Sequence, residues 1–279
     1  MAFWGDYHTH TTYSHGKGSV MDNANAAAGR GLKQVAITDH GLRHVLFGVR
    51  RKNLPKMIDD CRQATQDTHV LVLAGIENNL CTFTGMFDAK PDDLEKLDII
   101  QGGYHKAGVS PSFAQEFSFQ MRNMFRSFVS KSPKKLIVKN TDAYLKLIDN
   151  YELDFIGHMN RDIRADAVEV AKYAKDKGTY VELNNKKLTL TDGELEKMAE
   201  YGVEFVCNSD AHKADDVGDM SAVLKVIERL HIPYELIANW ERFPSFRSHN
   251  YKRATSEWQA KTQAAADKPD NSETDCHVD

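Results

Sequence analysis

His8 and His10 stand two residues apart near the head of the chain, in the run Asp6-Tyr7-His8-Thr9-His10, and a third imidazole, His15, follows closely. In an extended strand, residues at i and i+2 point to the same face, so His8 and His10 can present their rings side by side. A lone His-x-His is as often a surface pair as a metal site. This pair has company: His40, Glu77, His105, His158, Asp210 and His212 each come at or just after the end of a short apolar run. Imidazoles joined by two carboxylates suit Zn²⁺, Mn²⁺ or Fe, whereas Mg²⁺ or Ca²⁺ would call for oxygen ligands. Nine such residues are too many for one ion and suit two or three. The other histidines, His44, His69, His231, His249 and His277, fall in loops, helices or the C-terminal segment and read as ordinary surface residues.

The elements that must hold these residues alternate between β-rich runs and helical patterns. Strands are expected at 3–8, 35–38, 70–76, 97–101, 153–156, 180–183 and 203–206. Between them, helices are expected at 20–30 with Ser19 as N-cap, 55–66, 92–96, 142–149, 165–177, 192–201 with Asp192 as cap, and 219–230. Seven such βα units predict a parallel barrel or an open doubly wound sheet. The polar residues decide between them. They sit at the C-terminal ends of strands one to five and seven; a barrel brings those ends to one mouth, whereas an open sheet spreads them along a line. The barrel is expected over 1–253, with an insert at 106–139 that carries seven Lys/Arg against one Glu and Phe113, Phe117, Phe119, Phe125 and Phe128. Residues 254–279, rich in polar and small side chains, are expected to form a disordered tail.

Composition narrows the classes. With 279 residues and 41% apolar side chains the chain can bury a sizeable core, and a net charge of −4 gives no global pull toward nucleic acid or membrane. No apolar run approaches the roughly 20 residues that span a bilayer. No basic and apolar leader opens the sequence, and Cys61, Cys81, Cys207 and Cys276 form no Cys-x-x-Cys pair, so a reduced, cytoplasmic setting is expected.

Taken together, His-x-His after strand one, Thr-Asp-His-Gly after strand two, Glu77 after strand three, Gly-Gly-x-His, Asp-Phe-Ile-Gly-His and Asn-Ser-Asp-Ala-His resemble the PHP (polymerase and histidinol phosphatase) family over about residues 6–230. Val181-Glu182-Leu183-Asn184-Asn185 further resembles its stand-alone phosphatase branch. The resemblance implies a distorted TIM-like (β/α)7 barrel holding two to three transition-metal ions. It implies one ion on His8, His10, Glu77 and Asp210, a second sharing Glu77 with His105 and His158, and a third on His15, His40 and His212. His15 stands one residue nearer to His10 than the three-metal members lead us to expect, and the third site depends on its reach.

The activity implied is hydrolysis of a small phosphomonoester, with clustered cations activating water to hydroxide and stabilising the leaving alkoxide. Ligand imidazoles are neutral and cannot also serve as the acid. Asp39 or a coordinated water is therefore the candidate proton donor, while Asp39 and Asp6 could instead orient imidazoles or cap turns. Arg43 and Arg161, just past His40 and His158, could clamp phosphate or be solvated surface residues. The rival within enzymes is a phosphodiesterase or exonuclease acting on nucleotides or single strands, for which the basic, Phe-bearing insert is the one favourable feature. That insert reads first as a lid over a small anion, then as a strand-binding or dimer surface. Histidinol-phosphate phosphatase is a further alternative, and a non-catalytic metal-binding regulator is a less favoured one. The sequence does not give the oligomeric state.

Overall fold

Seven strands pair in chain order as one parallel sheet: β1 (Gly5–Thr9), β2 (Gln34–His40), β3 (Leu71–Asn79), β4 (Ile99–Gly103), β5 (Phe155–Ile156), β6 (Tyr180–Asn184) and β7 (Phe205–Asn208). This computed structural model describes residues 3–106, 118–123 and 133–266. The sheet rolls until its ends meet. Thr9 bridges Ala211 in parallel, the His10 N–H donates to the Ala211 carbonyl (2.8 Å), and Asn208 Oδ1 of β7 accepts from the Tyr7 N–H (2.9 Å). The result is the nearly closed, distorted (β/α)7 barrel that the strand pattern predicts.

Helices α1 (Val20–Gly29), α2 (Leu54–Thr68), α3 (Pro91–Leu94), α4 (Lys134–Asn150), α5 (Ala167–Asp176), α6 (Asp192–Glu200), α7 (Ser221–Arg229) and α8 (His249–Ala266) follow the strands, and residues 118–123 are also helical. Ser19 caps α1 as expected: its Oγ accepts from the Asp22 N–H (3.1 Å) and Asp22 Oδ2 accepts from the Ser19 N–H (2.8 Å). The cap of α6 is Thr191, paired with Glu194, one residue before the expected Asp192.

Strand periodicity sorts the side chains into two layers inside the barrel. Ala36, Leu73, Ile99, Phe155, Tyr180 and Val206 point inward, while Val35, Ile37, Val72, Ala74 and Val181 pack outward with the helices. Two or four residues further along the inward face lie His40, Glu77, Gln101, Glu182 and Asn208. The register sets His40 beside Glu77 and Glu77 beside Gln101. An apolar floor thus supports a polar layer at the C-terminal mouth. β2 and β3 run further than the sequence pattern indicates, so His40 and Glu77 lie within strands and inherit their rigidity.

Two expected boundaries are corrected. The tail expected from Ala254 is helical to Ala266, because Tyr251, Thr255 and Trp258 recur at helical spacing on the side facing the barrel. Tyr251 and Thr255 are buried, Thr255 Oγ1 accepts from Gln34 Nε2 (3.2 Å), and Trp258 Nε1 donates to the His69 carbonyl (3.3 Å). The helix expected at 142–149 begins at Lys134, behind Pro133, since Leu136, Asn140, Ala143, Tyr144 and Leu147 make one continuous buried stripe. Lys134, Lys135 and Lys139 therefore belong to α4. Phe119 is buried against Phe83 and Tyr104, whereas Phe113, Phe117, Phe125, Phe128 and Lys131 lie outside the described residues, as does most of the expected lid.

Candidate metal centre

Glu77, at the C-terminal end of β3, is the hub of the polar layer. His158 Nε2 lies 2.5 Å from its Oε1, with His8 Nε2 and His105 Nε2 each at 3.3 Å. Its other oxygen faces His40 Nδ1 at 2.8 Å and His10 Nε2 at 3.8 Å. Asp210 forms a second focus, with His10 Nε2 at 3.2 Å, His212 Nδ1 at 3.4 Å and His8 Nε2 at 3.8 Å from Oδ1. Donor atoms converge in four sets: His8/His10/Asp210, His8/Glu77/His158, His40/Glu77/His105 and His10/His40/His212.

These donors fit cations. His40 Nδ1 and Glu77 Oε2 are within 2.8 Å without hydrogen-bond geometry. Of nine buried side-chain polar atoms lacking a hydrogen-bond partner among the described residues, six belong to this cluster: both ring nitrogens of His10, His40 Nδ1, Glu77 Oε2, His105 Nε2 and His158 Nδ1. Buried polar atoms are normally satisfied, and metal coordination is what nitrogen and carboxylate lone pairs facing one another would satisfy.

Surrounding residues set which nitrogen faces inward. A carboxylate accepts only, so Glu182 Oε1, 2.7 Å from His8 Nδ1, draws the ring proton there and frees Nε2 toward Glu77. Asn79 Oδ1 does the same for His105 Nδ1 (3.0 Å), and the Asp210 carbonyl for His212 Nδ1 (2.9 Å). Burial pushes His10 and His105 well below the usual imidazole value, which keeps them in the neutral, metal-binding form. Burial also opposes charge on His8, but Glu182, Glu77 and Asp210 outweigh it and raise His8 well above its ordinary value. The negative field that would hold a proton on that ring would equally hold a cation beside it. Burial alone would raise Glu77, yet His105, His8, His40 and His158 hold it well below the ordinary carboxylate range.

The backbone is shaped around the same residues. His158 (φ 26°) and Asp210 (φ 54°) occupy the left-handed region, which is rare for non-glycine residues and concentrates at functional sites. Gly103, in the Gly-Gly-x-His stretch, lets β4 approach closely: a Cβ there would lie 3.1 Å from His158 Cε1.

Eight of the nine expected ligands enter the convergent sets, and His15 enters none. Its ring stacks on His40 (4.7 Å, 13°) and meets His212 edge-on (4.3 Å, 72°), which keeps it beside the cluster. The two arginines differ. Arg161 Nη1 lies 3.7 Å from Asp210 Oδ2, whereas Arg43 is exposed and its backbone N–H donates to Asp88 Oδ2 (3.4 Å). Asp39 is buried and accepts from the Thr11 N–H (2.7 Å), Thr11 Oγ1 (2.5 Å) and Ser14 Oγ, so it pins the turn between His10 and His15. Asp6 accepts from the N–H and Oγ of Ser209 (3.1 and 2.5 Å) and the Gly218 N–H (2.8 Å). The imidazoles are oriented by Glu182 and Asn79, which sequence reasoning did not single out for this role. The inward period of β6 and β3 was the signal that could have found them. Two more neighbours were missed: Gln101, whose Nε2 lies 3.0 Å from His8 Nδ1, and His44, whose ring stacks on His40 (4.9 Å, 19°).

Comparison with known proteins identifies a hydrolase that acts on phosphate esters. The chain belongs to the PHP domain family, whose model matches residues 6–186. A relative from Acetivibrio thermocellus named "Probable phosphatase" is 28% identical over 272 residues, covering 91% of this chain and 98% of the relative. One of the same description from Thermoanaerobacter sp. is 30% identical over 249 residues, covering 84% and 89%. The histidinol phosphate phosphatase of Lactococcus lactis, solved with zinc, L-histidinol and phosphate, shares the fold with a TM-score of 0.52 at 15% identity, over 82% of this chain and 94% of that one. No helix among the described residues is long and apolar enough to cross a membrane.

Proposed function

We propose that the chain is a metal-dependent phosphomonoesterase whose two or three transition-metal ions are held by His8, His10, Glu77 and Asp210, by Glu77, His105 and His158, and by His40 and His212 with His15 alongside. The observation that carries this reading is the convergence of unpartnered, buried nitrogen and carboxylate donors around Glu77. Bound there, the ions would supply Lewis-acid charge to a phosphoryl group and to water near neutral pH.

The chain's own residues do the rest. Glu77 offers one oxygen to the His8, His105 and His158 side and the other to the His10 and His40 side, which suits a bridge between ions. Glu182 and Asn79 hold ring protons on the outer nitrogens of His8 and His105. Arg161, beside Asp210, would meet a phosphoryl oxygen, a role for which Arg43 has less support. Asp39, its oxygens occupied by Thr11 and Ser14, acts by ordering the turn that carries His15.

Metal-replete protein should be assayed against phosphomonoesters, histidinol phosphate among them, beside bis(p-nitrophenyl) phosphate and short oligonucleotides. Monoester turnover well above diester turnover is expected. Faster cleavage of diesters or oligonucleotides would favour the phosphodiesterase reading, and no turnover with full metal occupancy would favour a binding protein.

A further inference from the structure

Lys186 comes directly after Asn184 and Asn185 at the end of β6, and the backbone around it is fixed on both sides. Asn184 Nδ2 donates to Glu182 Oε2 (3.1 Å) and Asp210 Oδ2 (3.2 Å), and Asn184 Oδ1 accepts from the Lys187 N–H (2.9 Å). Asn185 Oδ1 accepts from the N–H groups of Ala222 (2.7 Å) and Val223 (3.1 Å), at the start of α7. From this pinned base the side chain, 46% exposed, reaches the mouth of the barrel. Its Nζ lies 2.7 Å from His212 Nδ1, 3.3 Å from His212 Nε2 and 4.0 Å from Asp210 Oδ1. Arg161 stands at the other oxygen of the same carboxylate, 3.7 Å away. Both separations from Asp210 exceed hydrogen-bond length, so neither cation is saturated by it.

The hydrogen bonds of His212 limit what Lys186 can do there. Nδ1 is 2.9 Å from the Asp210 carbonyl, which only accepts. With Nε2 serving as a metal ligand, the ring proton sits on Nδ1 and points to that carbonyl. Both ring nitrogens are then engaged, and an ammonium, which only donates, has no acceptor left on the ring. The Lys186 donors are then free for water or for an anion at the exposed rim of the site.

We infer that Lys186 and Arg161 form a two-armed clamp for the phosphoryl oxygens of the substrate, with Lys186 as the arm that sets preference for a doubly charged monoester over a singly charged diester. The inference rests on the phosphomonoesterase reading. Charge-assisted contacts to phosphate are the strong ones, and a monoester offers one more charged oxygen than a diester.

The test uses the full chain loaded with Mn²⁺, its Lys186→Met and Lys186→Arg variants, and inorganic phosphate as the probe in calorimetry, with metal content by elemental analysis. Lys186→Met should weaken phosphate binding by about tenfold or more, Lys186→Arg, which keeps a charge-assisted donor, should stay within about threefold of the parent, and metal content should be the same in all three. In turnover, Lys186→Met should raise KM for a monoester more than it lowers kcat and should narrow the monoester-over-diester preference. Unchanged phosphate affinity in Lys186→Met, or no phosphate binding by the parent, would overturn the clamp. A loss of affinity that tracks a loss of metal would also overturn it, because Lys186 would then be holding His212. If the parent binds phosphate and Lys186→Met does not, but no monoester is turned over, the clamp stands and the monoesterase reading fails.

Discussion

His8 Nδ1 on β1 and Glu182 Oε1 on β6 lie 2.7 Å apart across β7, and Asn208 of β7 donates to the same oxygen at 3.0 Å. One carboxylate thus orients an imidazole of the donor set and joins three strands at the point where the barrel closes. Glu182 also accepts from the His158 N–H (2.6 Å), so it fixes two candidate ligands. Exchange for glutamine keeps the shape but removes the charge that holds the His8 proton outward. Glu182→Gln is expected to lose about 10–100-fold in metal affinity or in turnover while remaining folded. Metal titration followed by circular dichroism and by activity checks this; a variant with parental metal affinity and rate would contradict it.

Glu77→Ala should be more damaging than His15→Ala or His212→Ala. Loss of Glu77 removes the carboxylate shared by two of the convergent sets, whereas His212 enters one and His15 none. Residual activity below about a tenth of the parent is expected, given that even outer partners of a metal site are worth about 10–100-fold. The three alanine variants assayed side by side decide it, and a Glu77→Ala chain that outperforms His212→Ala would remove Glu77 from its bridging role.

Elemental analysis after metal supplementation should return two to three ions per chain, and chelation should abolish turnover in a way that Mn²⁺, Zn²⁺ or Fe²⁺ restores. One ion or fewer per chain would leave most of the donors without a use and would overturn the multinuclear assignment.

The floor of the barrel offers a test of the corrected C-terminal boundary. Phe246 packs its ring 4.9 Å from Tyr7, 5.6 Å from Tyr180 and 4.8 Å from Tyr251, the last on α8. Phe246→Ala should cost about 3–5 kcal/mol by denaturant unfolding, as expected for a large aromatic removed from a packed interior. Ending the chain at residue 253 should also lower the melting temperature, since it removes Thr255 and Trp258; an unchanged temperature would return these residues to the status of a tail.

The strands and most of the donor set were legible because their signal is local. An apolar run that stops at His40 or Glu77 states both the strand and the position at its mouth. What was illegible depends on pairing between distant segments. Glu182 stood out only as part of the Val181–Asn185 stretch, and only the closure of β1 and β6 around β7 makes it the partner of His8, 174 positions away. The character of α8 was hidden by composition: Tyr251, Ala254, Thr255 and Trp258, which face the barrel, are outnumbered by polar residues facing water. Asp39, next to His40 in sequence, points to the His10–His15 turn, because neighbours on a strand face opposite sides.

The stacking of a polar layer upon an apolar floor ties the lifetime of the chain to its ion supply. Six cluster atoms sit in the interior without hydrogen-bond partners among the described residues, and a buried polar group left so costs about 1–3 kcal/mol. Ions that occupy the folded barrel and not the unfolded chain stabilise it by mass action. Starvation for metal should therefore do more than silence turnover: it should open the barrel mouth to proteases, with a half-life under limited proteolysis that shortens on chelation and recovers when the ion returns.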